Sequence, residues 1–168
     1  MSRPPVYEVD ASVQAHVNGA IDRRFSSEEL PRLREAGIAE PTRIELSVRF
    51  STLENRVALD GTLRGSITMA CQRCMRPAAI AVDDRFQVVI VSDEADSEQE
   101  IGGYEPVVAD PSRFDLRWLA EEQTLLSVPL VAKHEGECAS AAATRDDVVQ
   151  DENRAQRPFA NLKDLLRK

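Results

Sequence analysis

The sequence has no apolar run long enough to cross a membrane. The longest, residues 88–91, is far shorter than the about 20 residues that a spanning helix needs. The first ten residues also lack the apolar core of a signal peptide. We therefore expect a cytoplasmic protein without membrane contact. Cysteines stay reduced in that compartment, so the three cysteines here favour metal or redox chemistry over a structural disulfide.

Recognisable catalytic motifs are missing as well. The chain contains no phosphate-binding glycine loop, no GxSxG nucleophile elbow and no HExxH helix. Its paired acids, Asp83-Asp84 and Glu121-Glu122, have no nucleophile near them in the sequence, and such charge runs are usually solvated. We predict that the protein is not an enzyme and has neither catalytic residues nor a small-molecule substrate.

Positive charge is in deficit. The chain has 21 Lys and Arg residues against 29 Asp and Glu residues, which gives a net charge of −8 at pH 7. Because affinity for nucleic acid draws on phosphate neutralisation by Lys and Arg, this protein could bind RNA only through a local patch. The overall charge suits a basic protein partner better.

Alternation of apolar and polar residues is abundant in the centre of the chain. Apolar side chains occupy even positions over residues 44–50, odd positions over 57–71 and even positions over 80–90. This period of two predicts half-buried strands, and Gly61 and Gly65 predict a bend or bulge in the second one. We expect an α+β fold: an antiparallel meander sheet that could close into a barrel-like form, with a packed helix and flexible acidic segments.

Elements flank this meander on both sides. Residues 21–25 suit a short strand, and Ser26 begins a short helix that stops at Gly37. Residues 104–109 suit a returning strand. The packed helix starts at residues 110–112 and stops at Pro129. Its apolar stripe consists of Leu116, Trp118, Leu119 and Leu126.

Polar segments set the expected boundaries. Residues 93–100 carry five acids and predict a mobile loop. Residues 139–156 are Ala-rich and acidic and predict a flexible linker, whereas apolar residues at helical spacing predict a basic C-terminal helix over 157–168. The expected organisation is one α+β domain over residues 1–138, followed by that linker and helix.

Cysteine and histidine residues fall into two short clusters. Cys71 and Cys74 are separated by two residues, and His134 and Cys138 by three, which are both spacings found in zinc sites. Together they form a Cys₃His set, complete for a tetrahedral ion. The 59 residues between Cys74 and His134 are more than the loop of a zinc finger contains. The ion would therefore link the turn between the two strands to the segment after the helix. Such a zinc site would be structural, because a catalytic zinc keeps one position open.

Two other interpretations of these residues stay open. In one, they are ordinary residues of a strand face, a turn and a loop. In the other, the protein is a redox-responsive or metal-sensing protein that uses the CxxC and HxxxC clusters. Thioredoxin-type chemistry requires the first cysteine at a helix N-terminus, which lowers the pKa of its thiol. Here Pro77 and an alternating strand follow the cysteine pair instead.

Candidate contacts to RNA or to another partner are basic residues. Arg can pair with phosphate through two hydrogen bonds or stack on a base. Two candidates flank the cysteine turn and four lie near the C-terminus: Arg73, Arg76, Arg157, Lys163, Arg167 and Lys168.

The order of these motifs resembles a known family. The strand ending in TMACQRCMRP, the acidic loop, the helix FDLRWLAEEQTLLSVPLVAKH, the cysteine after its histidine and the terminal RPFANLKDL are together similar to the bacterial YceD family. Its members are named large ribosomal RNA subunit accumulation proteins. The resemblance covers residues 44–165 and includes the cysteine and histidine positions.

The resemblance implies a non-enzymatic role in ribosome biogenesis, through the accumulation of large-subunit ribosomal RNA. Family genes often neighbour one for a small large-subunit ribosomal protein. Either ribosomal RNA or a basic large-subunit ribosomal protein is therefore the expected partner. Zinc does not follow from the resemblance and depends on the spacing alone; no other cofactor is expected.

Overall fold

The computed structural model describes residues 7–93, 100–136 and 138. The chain divides into two compact units, Met1–Gly136 and Glu137–Lys168, and the second is described at Cys138 only. The predicted linker 139–156, the predicted helix 157–168 and most of the acidic loop lie outside the described residues. None of the helices among the described residues is long and apolar enough to cross a membrane.

Among the described residues of the first unit, seven strands and three α-helices follow one another. The elements are β1 (Glu8–Val9), α1 (Ala11–His16), β2 (Ala20–Ser26), α2 (Pro31–Glu35), β3 (Ala39–Leu53), β4 (Arg56–Ala70), β5 (Pro77–Val91), β6 (Glu105–Val108), β7 (Phe114–Asp115) and α3 (Leu116–Ser127). Short 3₁₀ turns cover Ser27–Glu29 and Pro111–Arg113.

The main sheet has five strands in the order β2-β3-β4-β5-β6. Its first three pairings are antiparallel, which confirms the predicted α+β meander, and β6 runs parallel to β5. Glu54 and Asn55, both with positive φ, make the tight turn between β3 and β4. The expectation of a barrel-like sheet is wrong: β2 and β6 remain separate edges, so the sheet is open.

The predicted irregularity lies beside Gly65. The register of the β3–β4 pair shifts between Ala39 and Arg43 of β3, next to the pairing of Gly65 with Ile44. A Cβ at Gly65 would lie 2.0 Å from the Arg43 carbonyl oxygen, so only glycine lets the two backbones approach here. Gly61 has a different neighbour, because a Cβ there would lie 2.0 Å from Cζ of Phe86.

One face of the sheet carries the core, as the alternation predicts. Its fully buried side chains include Ile44, Leu46, Phe50, Leu59, Leu63, Ile67 and Val88. Helix α3 covers this face with Leu116 and Leu119, while Trp118 packs partly buried against it. Leu126 is 62% exposed, so its assignment to the apolar stripe is wrong. It lies in the last turn of α3, where the neighbouring Leu125 is the residue that packs against the core.

The start of α3 and the N-terminal segment differ in how well the sequence predicts them. Asp115 caps α3 by accepting hydrogen bonds from the Arg117 and Trp118 amides, so the helix begins later than residues 110–112 suggest. Helix α1, which the sequence analysis does not predict, begins after Asp10, whose carboxylate accepts from the Val13 amide. These caps satisfy backbone donors that a helix start leaves unpaired.

Candidate metal centre

The CxxC turn, residues 71–76, joins β4 to β5. The Cys71 amide donates to the Arg76 carbonyl over 2.8 Å, and the Met75 amide donates to the Cys71 carbonyl over 2.8 Å. Met75 adopts a φ of 60°, in the left-handed region, which allows the chain to reverse here. Cys71 is fully buried and Cys74 is partly buried. The backbone thus holds the cysteine pair in one tight turn.

The segment after α3 returns along this turn. The Gln72 amide donates to the Ala132 carbonyl over 2.9 Å, and the Gln72 side-chain amide donates to the Leu130 carbonyl over 3.4 Å. Ala132 is only 1% exposed. At the end of the helix, the Ser127 hydroxyl donates to Asp84 of β5 over 2.8 Å. These contacts place the returning segment beside the cysteines.

Arg73 reinforces the same junction. Its guanidinium donates to the His134 carbonyl over 3.0 Å and also to the Gly136 carbonyl. Both acceptors are main-chain oxygens that flank Glu135. Arg73 therefore fixes the path of the chain from His134 to Gly136 rather than presenting its full set of donors to solvent.

His134 is oriented by a main-chain acceptor. Its Nε2 lies 3.0 Å from the Pro77 carbonyl oxygen, and its Nδ1 lies 3.6 Å from Sγ of Cys74. Because a carbonyl can only accept, Nε2 carries the proton in this contact. In the tautomer that keeps this contact, the Nδ1 lone pair faces Sγ of Cys74. A metal-ligating histidine has this arrangement.

All four residues of the predicted Cys₃His set come together. The Sγ atoms of Cys71, Cys74 and Cys138 and a ring nitrogen of His134 all lie within 4.8 Å of one another. Three sulfurs and one imidazole nitrogen at such distances could hold a metal ion, and this is the donor set of many zinc sites.

Two of the six basic residues predicted as contacts lie among the described residues. Arg73 and Arg76 both lie exposed on the CxxC turn, and Arg73 is the one engaged with carbonyls. Arg157, Lys163, Arg167 and Lys168 lie outside the described residues. Lys133, which the sequence analysis does not select, is exposed beside His134.

Several residues that build the site carry no signal in the sequence. The carbonyls of Pro77 and Ala132 act through the main chain, so their residue types say nothing of the role. Gln72 and Lys133 are ordinary polar residues until the fold places them at the turn. In the sequence, the spacing of His134 and Cys138 and the family resemblance pointed to the segment after α3.

Comparison with known proteins identifies the family. A family model described as "Large ribosomal RNA subunit accumulation protein YceD" matches residues 59–166. The chain belongs to the YceD family. The matched region of YceD includes the CxxC turn, helix α3, His134 and Cys138.

Two YceD relatives differ in how much of the chain they share. The "Large ribosomal RNA subunit accumulation protein YceD" of Haemophilus influenzae is 28% identical over 151 residues, which cover 86% of each chain. The "Large ribosomal RNA subunit accumulation protein YCED homolog 1, chloroplastic" of Zea mays is 30% identical over 70 residues, 42% of this chain and 24% of the relative. No solved structure matches the chain.

Proposed function

We propose that this chain is a non-enzymatic, cytoplasmic factor that supports accumulation of large-subunit ribosomal RNA during ribosome biogenesis. Membership of the YceD family and the name of the Haemophilus influenzae relative support this role. The proposed mode of action is binding of immature ribosomal RNA through the surface at the CxxC turn.

The observation that carries the proposal is a local concentration of exposed cations and apolar side chains. Pro77 and His134 are joined by a hydrogen bond, and Arg76 and Lys133 are the residues that precede them. Both cations are exposed. Exposed apolar side chains lie on the same two segments: Met75, Leu130 and Val131 are 76%, 98% and 54% exposed. We call the two cations and these three apolar residues the corner patch: Met75, Arg76, Leu130, Val131 and Lys133.

RNA suits the corner patch because its cations are available for phosphate. Among the described residues, Arg76 makes no ion pair or side-chain hydrogen bond, in contrast to Arg73. A guanidinium can bind phosphate through two hydrogen bonds, and an ammonium can bind it as a point charge. A local patch is also what a chain of net charge −8 requires for RNA binding. The C-terminal basic residues, Arg157, Lys163, Arg167 and Lys168, are proposed as further contacts.

The test is a pair of charge reversals in the full-length protein. Arg76→Glu with Lys133→Glu removes both patch cations and leaves Arg73 in place. Arg23→Glu with Arg49→Glu is the matched control, because both are exposed arginines on strands β2 and β3. Binding to large-subunit precursor RNA is measured over a range of salt concentrations.

We expect the patch variant to bind at least tenfold more weakly. The slope of log K against log salt should also become shallower by about 1.4–1.8, since each lost phosphate contact contributes about 0.7–0.9. The control pair should keep the wild-type slope. Unchanged affinity and slope in the patch variant would reject RNA binding by this surface.

A basic large-subunit ribosomal protein is the second candidate partner. The net charge of −8 favours it, and so does an open groove of about 950 Å³ away from the CxxC turn. Five acids and two arginines line that groove, so the acids are in excess: Asp22, Asp60, Asp84, Glu100, Glu105, Arg49 and Arg85. Crosslinking in growing cells separates the two candidates, because RNA crosslinks through Arg76 and Lys133 support the first and crosslinks from the groove to a basic protein support the second.

A further inference from the structure

We propose that the cluster at the CxxC turn is a closed structural zinc site. One Zn²⁺ would be held by the sulfurs of Cys71, Cys74 and Cys138 and by Nδ1 of His134. With four protein ligands, no position is left for water or substrate, so the ion would fix structure and would not catalyse. This inference does not rest on the proposed RNA contact.

The separation of two donor atoms fits such an ion. With Zn–S near 2.3 Å and Zn–N near 2.0–2.1 Å, a regular tetrahedron puts sulfur and nitrogen about 3.5 Å apart. Sγ of Cys74 and Nδ1 of His134 are 3.6 Å apart. The limit of 4.8 Å for the whole group leaves the other pairs within a small adjustment of the same geometry.

Contacts outside the ligands give a second, independent argument. Zinc-bound histidines usually donate their other ring N–H to a carbonyl or carboxylate, which fixes the tautomer. The Pro77 carbonyl, 3.0 Å from Nε2, provides this acceptor. Arg73 donates to the His134 and Gly136 carbonyls, so it restrains the ligand residue and the chain that follows it. The histidine is thus positioned for metal by groups that do not themselves bind it.

Charge supports zinc as well. Three thiolates with one Zn²⁺ leave a net charge of −1. In the part of the chain that the structure describes, the two segments that form the site carry one exposed acid, Glu135, and three exposed cations: Arg73, Arg76 and Lys133. Cys71 is 0% exposed, and a thiolate at such a position needs a compensating cation. Soft sulfur ligands with imidazole in a four-coordinate arrangement favour zinc over magnesium, calcium or manganese.

The consequence for the fold is a cross-link between distant parts of the chain. The ion would tie the β4–β5 turn to the segment that follows α3. It would also fix Pro77 and His134, the neighbours of Arg76 and Lys133. Zinc would therefore organise the corner patch without touching a partner.

The test is metal analysis of the full-length protein purified under reducing conditions. We expect about one zinc per chain, because the site has a single complete ligand set. Cys74→Ser should lose most of this zinc. His16→Gln is the matched control, since His16 is the other histidine of the chain and is exposed, and it should retain zinc at the wild-type level.

A second measurement covers the case in which Cys74→Ser does not fold. The wild-type protein is stripped and reloaded with Co²⁺, whose visible and near-ultraviolet absorption reports tetrahedral geometry and thiolate ligation. Loading should release protons from the three thiols, because metal replaces them. These readouts are independent of RNA binding, so the zinc and RNA proposals can fail separately.

Three results would overturn the zinc site. The first is wild-type protein with no zinc and no tetrahedral cobalt spectrum. The second is zinc that persists unchanged in a folded Cys74→Ser variant, which would place the ion elsewhere. The third is a reversible Cys71–Cys74 disulfide in metal-free protein from reducing cells, which would favour the redox-responsive alternative.

Discussion

The two ends of the β4–β5 pair are held together in different ways. At the end away from the CxxC turn, Leu59 and Val88 are paired at 0% exposure and belong to the same core as Phe50 and Leu119. At the other end, the CxxC turn is joined to the segment after α3 by hydrogen bonds from Gln72 and Arg73 and by the proposed zinc. Burial of apolar area stabilises the first end, whereas a few directed contacts define the second. The two regions should therefore respond to different changes.

The largest effect is expected from a cavity in the core. Phe50→Ala removes a ring that is 0% exposed and should cost about 3–5 kcal/mol of unfolding free energy. Val17→Ala is the control, because Val17 is 67% exposed and its truncation should change stability by less than about 0.5 kcal/mol. Urea unfolding measures both. A cost below about 1 kcal/mol for Phe50→Ala would contradict the assignment of the core.

A smaller effect is expected where two strands approach at a glycine. Gly65→Ala places a Cβ against the Arg43 main chain, which cannot rotate away, and should cost about 1–3 kcal/mol. Gly61→Ala meets the end of the Phe86 ring instead, so the second change Phe86→Leu should recover part of its cost. Urea unfolding of the two single variants, and of each combined with Phe86→Leu, tests this. Rescue of Gly65→Ala by Phe86→Leu would contradict the account of the bulge.

The difference between these regions explains what the sequence could predict. Period-two alternation specified the core-facing residues of β3, β4 and β5, because burial on one face selects them directly. Spacing alone brought Cys71, Cys74, His134 and Cys138 into one hypothesis. The open sheet was not predictable in the same way, since it depends on β6 pairing in parallel with β5. The contacts of Arg73 and His134 with carbonyls could not be predicted either, because every residue type has the same main-chain acceptor.

A change at the CxxC turn should leave the stability of the core almost unaffected. Arg73→Ala removes the hydrogen bonds to the His134 and Gly136 carbonyls. We expect zinc affinity to fall about 10–100-fold, as for other residues that orient a ligand from outside, with little change in global stability. Arg49→Ala is the control, because Arg49 is exposed on β3 and pairs with Asp60, away from the CxxC turn, and it should keep the wild-type affinity. Competition with a chelating dye measures both, and equal affinities would remove Arg73 from the site.

The smallest effect is expected at the capping box before α2. The Glu29 carboxylate accepts from the Ser26 amide, the Ser26 hydroxyl and the Tyr7 hydroxyl, over 2.9, 3.0 and 3.2 Å. The Ser26 amide is the main cause that lowers the pKa of Glu29 below its ordinary value of 4.5. A lowered folded pKa contributes stability above the unfolded pKa, and that contribution is lost as pH falls through the folded value.

Glu29→Gln should therefore reduce stability by a constant amount at neutral pH, and the difference from wild type should shrink below about pH 4.5. Glu28→Gln is the control, because Glu28 is exposed and does not form the capping box. Urea midpoints between neutral and acid pH give the comparison. A difference that grows on acidification would contradict the assigned sign.

Hydrogen–deuterium exchange of the full-length protein, before and after zinc is removed by a chelator, tests the contrast between core and corner most directly. We predict faster exchange after chelation at the amides of Cys71, Gln72 and Met75, which donate within the turn or to the segment after α3. The amides of Leu59 and Val88 should keep their protection. Unchanged exchange at the turn, or an equal loss of protection across the whole sheet, would contradict the claim that zinc holds the CxxC turn while the core is stable without it.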